Sequence, residues 1–155
     1  MIQLYYYPGN ASLAEPIVLE ELGVPFSLQL VDRSHAAHKS PEYLKLNPNG
    51  MVPTLLIDGE PFYEAAACLM TIADRHPAAA LAPRSDTLER AAWNQWIIHI
   101  ANTVQPAFRM WFYPNELPVS AEMIAARIES AWTRFDTQLA ANGPYLLGDT
   151  CTAAD

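Results

Sequence analysis

Asn47-Pro48-Asn49-Gly50-Met51-Val52-Pro53-Thr54-Leu55 decides the fold of this 155-residue chain. The stretch stops a helix, turns, and sends a strand away from a proline. Pro53 has no N–H and pushes Val52 out of helical dihedrals, so the segment reads as a broken sheet edge rather than as part of a central strand. The Val52–Pro53 bond has two readings. A trans bond, the default for X–Pro, makes an ordinary turn. A cis bond makes a tight turn with the amide and carbonyl of Val52 facing outward, where the backbone of an extended ligand can pair with them.

Upstream, Ser40-Pro41-Glu42-Tyr43-Leu44 carries the serine cap and first-turn proline of a short helix that ends near Asn47. Downstream, Thr54–Ile57 reads as a strand, Asp58-Gly59 as a hairpin turn and Pro61-Phe62-Tyr63 as a short returning strand. A helix follows over Glu64–Arg75, with Ala66, Leu69, Met70 and Ala73 at helical spacing. Nearer the N-terminus, Ile2–Tyr6 is a strand, Tyr7–Asn10 a turn, and Phe26–Val31 a half-buried alternating strand. The helix between them starts at Ser12, where Ser12 and Glu15 form a capping pair, and presents Leu13, Pro16, Ile17, Leu19 and Leu22 before Gly23 ends it.

Prolines 77 and 83 and three consecutive alanines mark a boundary, after which the composition turns helical. A helix starting within Ser85–Glu89 carries Leu88, Ala92, Trp96, Ile100 and Val104, and Pro106 bends it rather than ending it. Pro114 and Pro118 make the break. Ser120 then caps a helix running to about Ala141, with Ile124, Ile128, Ala131, Phe135 and Leu139 facing inward. Thr152–Asp155 has the pattern of a cap for a further helix, so the chain reads as a fragment of a larger helical domain.

Seventeen acidic against nine basic residues give a net charge of -8, the wrong sign for nucleic-acid binding. No stretch is long and apolar enough for a membrane span and no leader pattern opens the chain, so a soluble, cytoplasmic protein is expected. Cys68 and Cys151 read as separate reduced thiols packed as small hydrophobes. His35 and His38 lack the cysteine or paired carboxylates that would complete a metal set, and His76 and His99 stand apart, so no metal is expected.

With Asp58-Gly59, Glu64, Pro144-Tyr145-Leu146-Leu147-Gly148 and the Thr152–Asp155 cap, the chain resembles the cytosolic glutathione transferases, in the style of the bacterial beta-like classes, over essentially its whole length. The resemblance implies an α/β thioredoxin-like N-terminal domain with a mixed four-stranded sheet (1–78), a linker (79–84) and an incomplete all-α glutathione-transferase-type C-terminal domain (85–155). It implies glutathione as co-substrate, a cis bond at Pro53, and the backbone of Val52 on the cysteinyl part. Glu64 falls near the γ-glutamyl end, where Ala65 replaces the family's usual serine, and His38 or Lys39 near the glycyl carboxylate.

Ser12 suits the task of activating the thiol, and the mechanism is expected to begin with a thiolate formed beside it; Asn10 is a second possible donor, and Tyr6 falls where tyrosine-dependent relatives have theirs. Each also has a local role, as helix cap, turn residue or sheet residue. Ala11 stands where beta-like relatives often have cysteine, removing mixed-disulfide chemistry. Phe108, Trp111 and Phe112 are either core or the lining of a hydrophobic pocket for the second substrate. The expected reaction is conjugation of glutathione to a small hydrophobic electrophile, by a homodimer if the helical domain is complete. A noncatalytic ligand- or protein-binding role and a glutathione-dependent reductase or isomerase are the alternatives.

Overall fold

A computed structural model describes residues 1–114 and 118–155. The chain divides into two compact units, Met1–Ala79 and Ala80–Asp155.

The first unit is a thioredoxin-like α/β domain built on a four-stranded sheet of order β2-β1-β3-β4. β1 (Ile2–Tyr6) runs parallel to β2 (Phe26–Leu30) and antiparallel to β3 (Thr54–Ile57), which pairs antiparallel with β4 (Glu60–Tyr63). The Asp58-Gly59 turn makes the last hairpin, with both residues at positive φ. β3 is therefore an inner strand, buried at all four residues. This corrects the expectation of a broken edge: Pro53 precedes the ladder, so its missing donor removes no strand bond.

Helices α1 (Ala14–Glu21) and α3 (Ala65–Arg75) pack together, and Leu4, Leu19, Leu55, Cys68 and Ile72 are fully buried. Each large apolar side chain in this set contributes about 2 kcal/mol of burial. Helix α2 (Pro41–Leu46) is capped by Ser40 Oγ, which accepts from the Tyr43 N–H at 3.2 Å. Its Tyr43 enters a separate cluster with Val31 and Val52, against which Tyr5 and Tyr7 pack.

Two local expectations fail at the start of α1. A 3-10 turn, Ala11–Leu13, precedes the helix, so Ser12 and Glu15 form no capping pair. The buried stripe is Glu15, Val18 and Leu19, while Leu13 and Ile17 are exposed.

The second unit is helical. Thr87, within the expected start, caps α4 (Leu88–His99) by accepting from the Arg90 N–H at 3.2 Å. A π-helical turn, Ile100–Val104, joins α4 to α5 (Gln105–Phe112). Pro106 explains it: the proline cannot donate to the Asn102 carbonyl, and its ring would crowd that carbonyl, so the ladder widens without ending. Ser120 caps α6 (Ala121–Asn142). Trp96 stacks on Phe135 at 5.5 Å and Phe108 meets Trp132 edge-on at 5.9 Å. Leu139, expected on the inner stripe, is exposed, as is Cys151; only Cys68 packs as a small hydrophobe.

The Asp155 carboxylate accepts from Thr152 N at 2.8 Å, Thr152 Oγ1 at 2.9 Å and Leu146 N at 2.7 Å, so the predicted cap is formed. Leu81, in the expected linker, is buried, and its carbonyl accepts from Ala153 N at 2.8 Å. Among the described residues no helix is long and apolar enough to cross a membrane.

Candidate functional site

Strand register gathers one end of the sheet in the first unit. Tyr5 is opposite Thr54, and Thr54 opposite Tyr63. One residue further along each strand come Tyr6, Pro53 and Glu64. The Val52–Pro53 bond is cis.

A buried polar network holds the loop that leads into this bond. Asn47 Nδ2 donates to the Met51 carbonyl at 2.9 Å and to Thr54 Oγ1 at 3.1 Å, while Asn47 Oδ1 accepts from Asn49 N at 3.1 Å. The Tyr43 hydroxyl lies 2.6 Å from the same Met51 carbonyl, to which it donates, and 2.8 Å from Thr54 Oγ1. Asn47 and Thr54 are almost wholly buried, so every bond here forms in a low-dielectric setting where a missing one is expensive. Gly50 completes the turn at φ +60°. A Cβ there would lie 2.7 Å from the His38 carbonyl oxygen and 2.9 Å from Lys39 Nζ. The loop thus packs directly on His38 and Lys39. Burial first, then the charges of Arg33 and Lys39, holds the His38 imidazole below its ordinary pKa.

Glu64 sits at φ +72°, ψ +114° before α3. A left-handed backbone costs a non-glycine residue about 1–2 kcal/mol, and such outliers persist where the surroundings impose them. Its side chain is exposed. Its carbonyl accepts from Cys68 N at 2.9 Å, starting the helix, and the first-turn amides of α3 point out of it without helical partners. Ala65 adds no hydroxyl.

The three thiol-activating candidates differ sharply. Ser12 is almost wholly buried, and its Oγ both accepts from Tyr7 N and donates to Tyr7 O, at 3.2 Å each. Its hydroxyl is committed to the turn. Asn10 is half-buried and its side chain caps nothing. Tyr6 is half-buried at the end of β1, on the same face as Leu4.

Pattern reading placed Glu15 in a cap and missed its burial. It is fully buried, neither carboxylate oxygen has a partner among the described residues, and desolvation raises its pKa from 4.5 to about 8. The available signal was its spacing of three and four from Val18 and Leu19, which places it on the inner face. Cys68, its neighbour in charge, is pushed to about 12 by burial and then by Glu15, so it stays a thiol.

In the second unit, Phe108 is engaged with Trp132, whereas Trp111 and Phe112 are 58% and 70% exposed. Phe108 is therefore packed between helices, and the other two offer open aromatic surface. Among the described residues no group of three or more histidines, cysteines and carboxylates is placed to hold a metal ion.

The family model for the glutathione S-transferase N-terminal domain matches residues 16–75. Glutathione S-transferase GST-4.5 of Xanthomonas campestris pv. campestris is 37% identical over 161 positions, covering 99% of this chain and 78% of that protein. The chain belongs to the glutathione S-transferase family. A solved glutathione transferase from Methylococcus capsulatus superposes with a TM-score of 0.86 at 32% identity, covering 99% of this chain and 77% of that one. A sphingomonad glutathione S-transferase, solved in complex with glutathione, gives 0.84 at 30% identity, covering 98% and 76%. Bacterial glutathione transferases are thus similar to this chain in both sequence and fold. Within this glutathione S-transferase fold, Tyr6, Val52, Pro53, Glu64 and Ala65 share one sheet end, with His38 and Lys39 against the adjoining loop.

Proposed function

We propose that this chain is a glutathione transferase that adds the glutathione thiolate to a small hydrophobic electrophile. The observation that carries the reading is the sheet end itself, where the cis Val52–Pro53 bond stands beside the strand end that leads through Glu64, at positive φ, into the open first-turn amides of α3. In this reading Val52 pairs with the cysteinyl backbone of glutathione. The first-turn amides at Ala65 receive the γ-glutamyl carboxylate, Glu64 its ammonium group, and Lys39, beside His38, the glycyl carboxylate.

Asn10 is the proposed donor to sulfur, because its side chain is uncommitted while the Ser12 hydroxyl is spent on Tyr7; Tyr6 stands second. A hydrogen bond and the nearby N-terminal turn both favour the thiolate over the thiol. The thiol releases its proton to solvent, the sulfur forms the new C–S bond, and the displaced electron pair leaves with the departing group or the adjacent multiple bond. Exposed Trp111 and Phe112 supply apolar surface for the electrophile. The same proposal includes a cytoplasmic homodimer, for which exposed Met51 and Phe62 offer apolar surface in the first unit.

Calorimetric titration with glutathione tests the site. Glu64→Gln and Lys39→Gln should each weaken binding by about tenfold or more, the loss of one charge-assisted bond. Undiminished affinity in both variants would remove the assignment. The committed Ser12 hydroxyl and the absent hydroxyl at Ala65 also favour a second reading, a noncatalytic glutathione-binding protein. Saturable binding with no turnover of any aromatic or unsaturated electrophile would select it.

A further inference from the structure

The second unit contains a cavity of about 360 Å³, with walls more apolar than polar, that the proposed reaction does not use. It lies between the π-helical turn and α6, and its polar lining is His99, Asn102, Thr103, Arg127, Ser130 and Arg134. Three features set it apart. First, neither Arg127 nor Arg134 forms an ion pair among the described residues, although the protein carries a net charge of -8. Glu129 lines an adjoining groove with Arg134 but does not reach it as an ion pair. Both arginines are exposed, so their guanidiniums remain open to an incoming anion.

Second, His99 Nε2 is shielded from solvent and has no hydrogen-bond partner among the described residues. The ring is held edge-on against Trp96 at 5.6 Å, and Trp96 also carries the Arg134 guanidinium over its face at 5.4 Å. One indole therefore orients both groups. Burial first, then the charge of Arg134, holds His99 below its ordinary pKa. Third, the widened π-turn brings Asn102 and Thr103 to the same cavity. Such turns inside helices recur at functional positions.

We infer that this cavity, between the Ile100–Val104 turn and α6, binds a small molecule through a carboxylate or phosphate group, with Arg127 and Arg134 contacting the oxyanion and His99 donating from Nε2. The volume suits a small metabolite-sized ligand. Two guanidiniums and an imidazole N–H match the acceptor geometry of either oxyanion. The site is independent of glutathione binding in the first unit.

The test titrates the purified protein with inorganic phosphate and, separately, with succinate, while the His99 ring signals are followed by NMR and chloride at matched ionic strength serves as control. A saturable His99 shift is expected with at least one anion. Phosphate alone identifies a phosphoryl ligand, succinate alone a carboxylate, and both a site open to either. Arg127→Gln and Arg134→Gln should each weaken the effect at least tenfold while glutathione affinity stays within twofold. Arg134 also packs over Trp96, so the Arg127 variant, whose side chain contacts the Met110 sulfur at 3.9 Å, is the deciding one. No saturable shift with either anion, an equal shift with chloride, or unchanged binding in a folded Arg127→Gln variant overturns the inference.

Discussion

The Asn47–Pro53 loop and the Tyr7–Glu15 turn serve the same end of one sheet, yet they handle buried polarity in opposite ways. In the loop, each buried polar atom of Asn47, Tyr43 and Thr54 has a partner, and two separate donors converge on the Met51 carbonyl. In the turn, Ser12 is satisfied through Tyr7, but one helical turn later Glu15 is buried with both oxygens unpaired. A satisfied network makes a rigid platform, which a peptide-docking edge needs. An unpaired carboxyl makes stability depend on pH.

The comparison breaks most severely at Asn47. Asn47→Ala removes three hydrogen bonds and leaves the Met51 carbonyl with Tyr43 as its one remaining side-chain donor, so urea denaturation should show a loss of about 3 kcal/mol, with glutathione affinity falling in parallel. Next comes Glu15, whose folded pKa of about 8 lies above its ordinary 4.5. Folding is unpenalised by this group below pH 4.5 and is progressively weakened as the pH rises to 8, beyond which the penalty is complete. Glu15→Gln should therefore gain about 2–3 kcal/mol at pH 7 relative to the parent, and nothing at pH 4.5. Denaturation curves that stay parallel across this window would show that Glu15 is not ionising on unfolding as described.

Gly50→Ala places a Cβ against the His38 carbonyl in a left-handed conformation, with an expected loss of about 2 kcal/mol. It should also displace Lys39, and a glutathione affinity unchanged in the folded variant would separate Lys39 from the site. The smallest effect belongs to Ser12→Ala, about 1 kcal/mol for the two Tyr7 bonds, measured by thermal or urea unfolding.

Much of the first unit was legible because its signals are local. Ser40 with Pro41, Asp58 with Gly59, and the apolar runs of β1 and β3 each specify an element through their own backbone chemistry. The family motif then pointed to the loop and to Glu64. What escaped were features that depend on partners distant in sequence. Glu15 reads as a cap because Ser12 lies three residues before it; only the packing of α1 on α3 shows that it faces inward. The placement of Pro53 beside an inner strand depends on β4 adding to the sheet, and the π-turn on how α4 absorbs Pro106 while continuing toward α5. Ser12 suits the thiol-activating chemistry by residue type, and its two bonds to Tyr7 are contacts that only the folded turn reveals.

The central claim is that the sheet end binds glutathione and that Asn10, rather than Ser12, favours its thiolate. The ultraviolet thiolate absorbance of bound glutathione, followed against pH in the parent, Asn10→Ala and Ser12→Ala proteins, tests it most directly. The account predicts a bound-thiol pKa at least about one unit below that of free glutathione, raised by about one unit in Asn10→Ala and nearly unchanged in Ser12→Ala. An unshifted thiol in the parent, or a shift lost in Ser12→Ala but kept in Asn10→Ala, would contradict it.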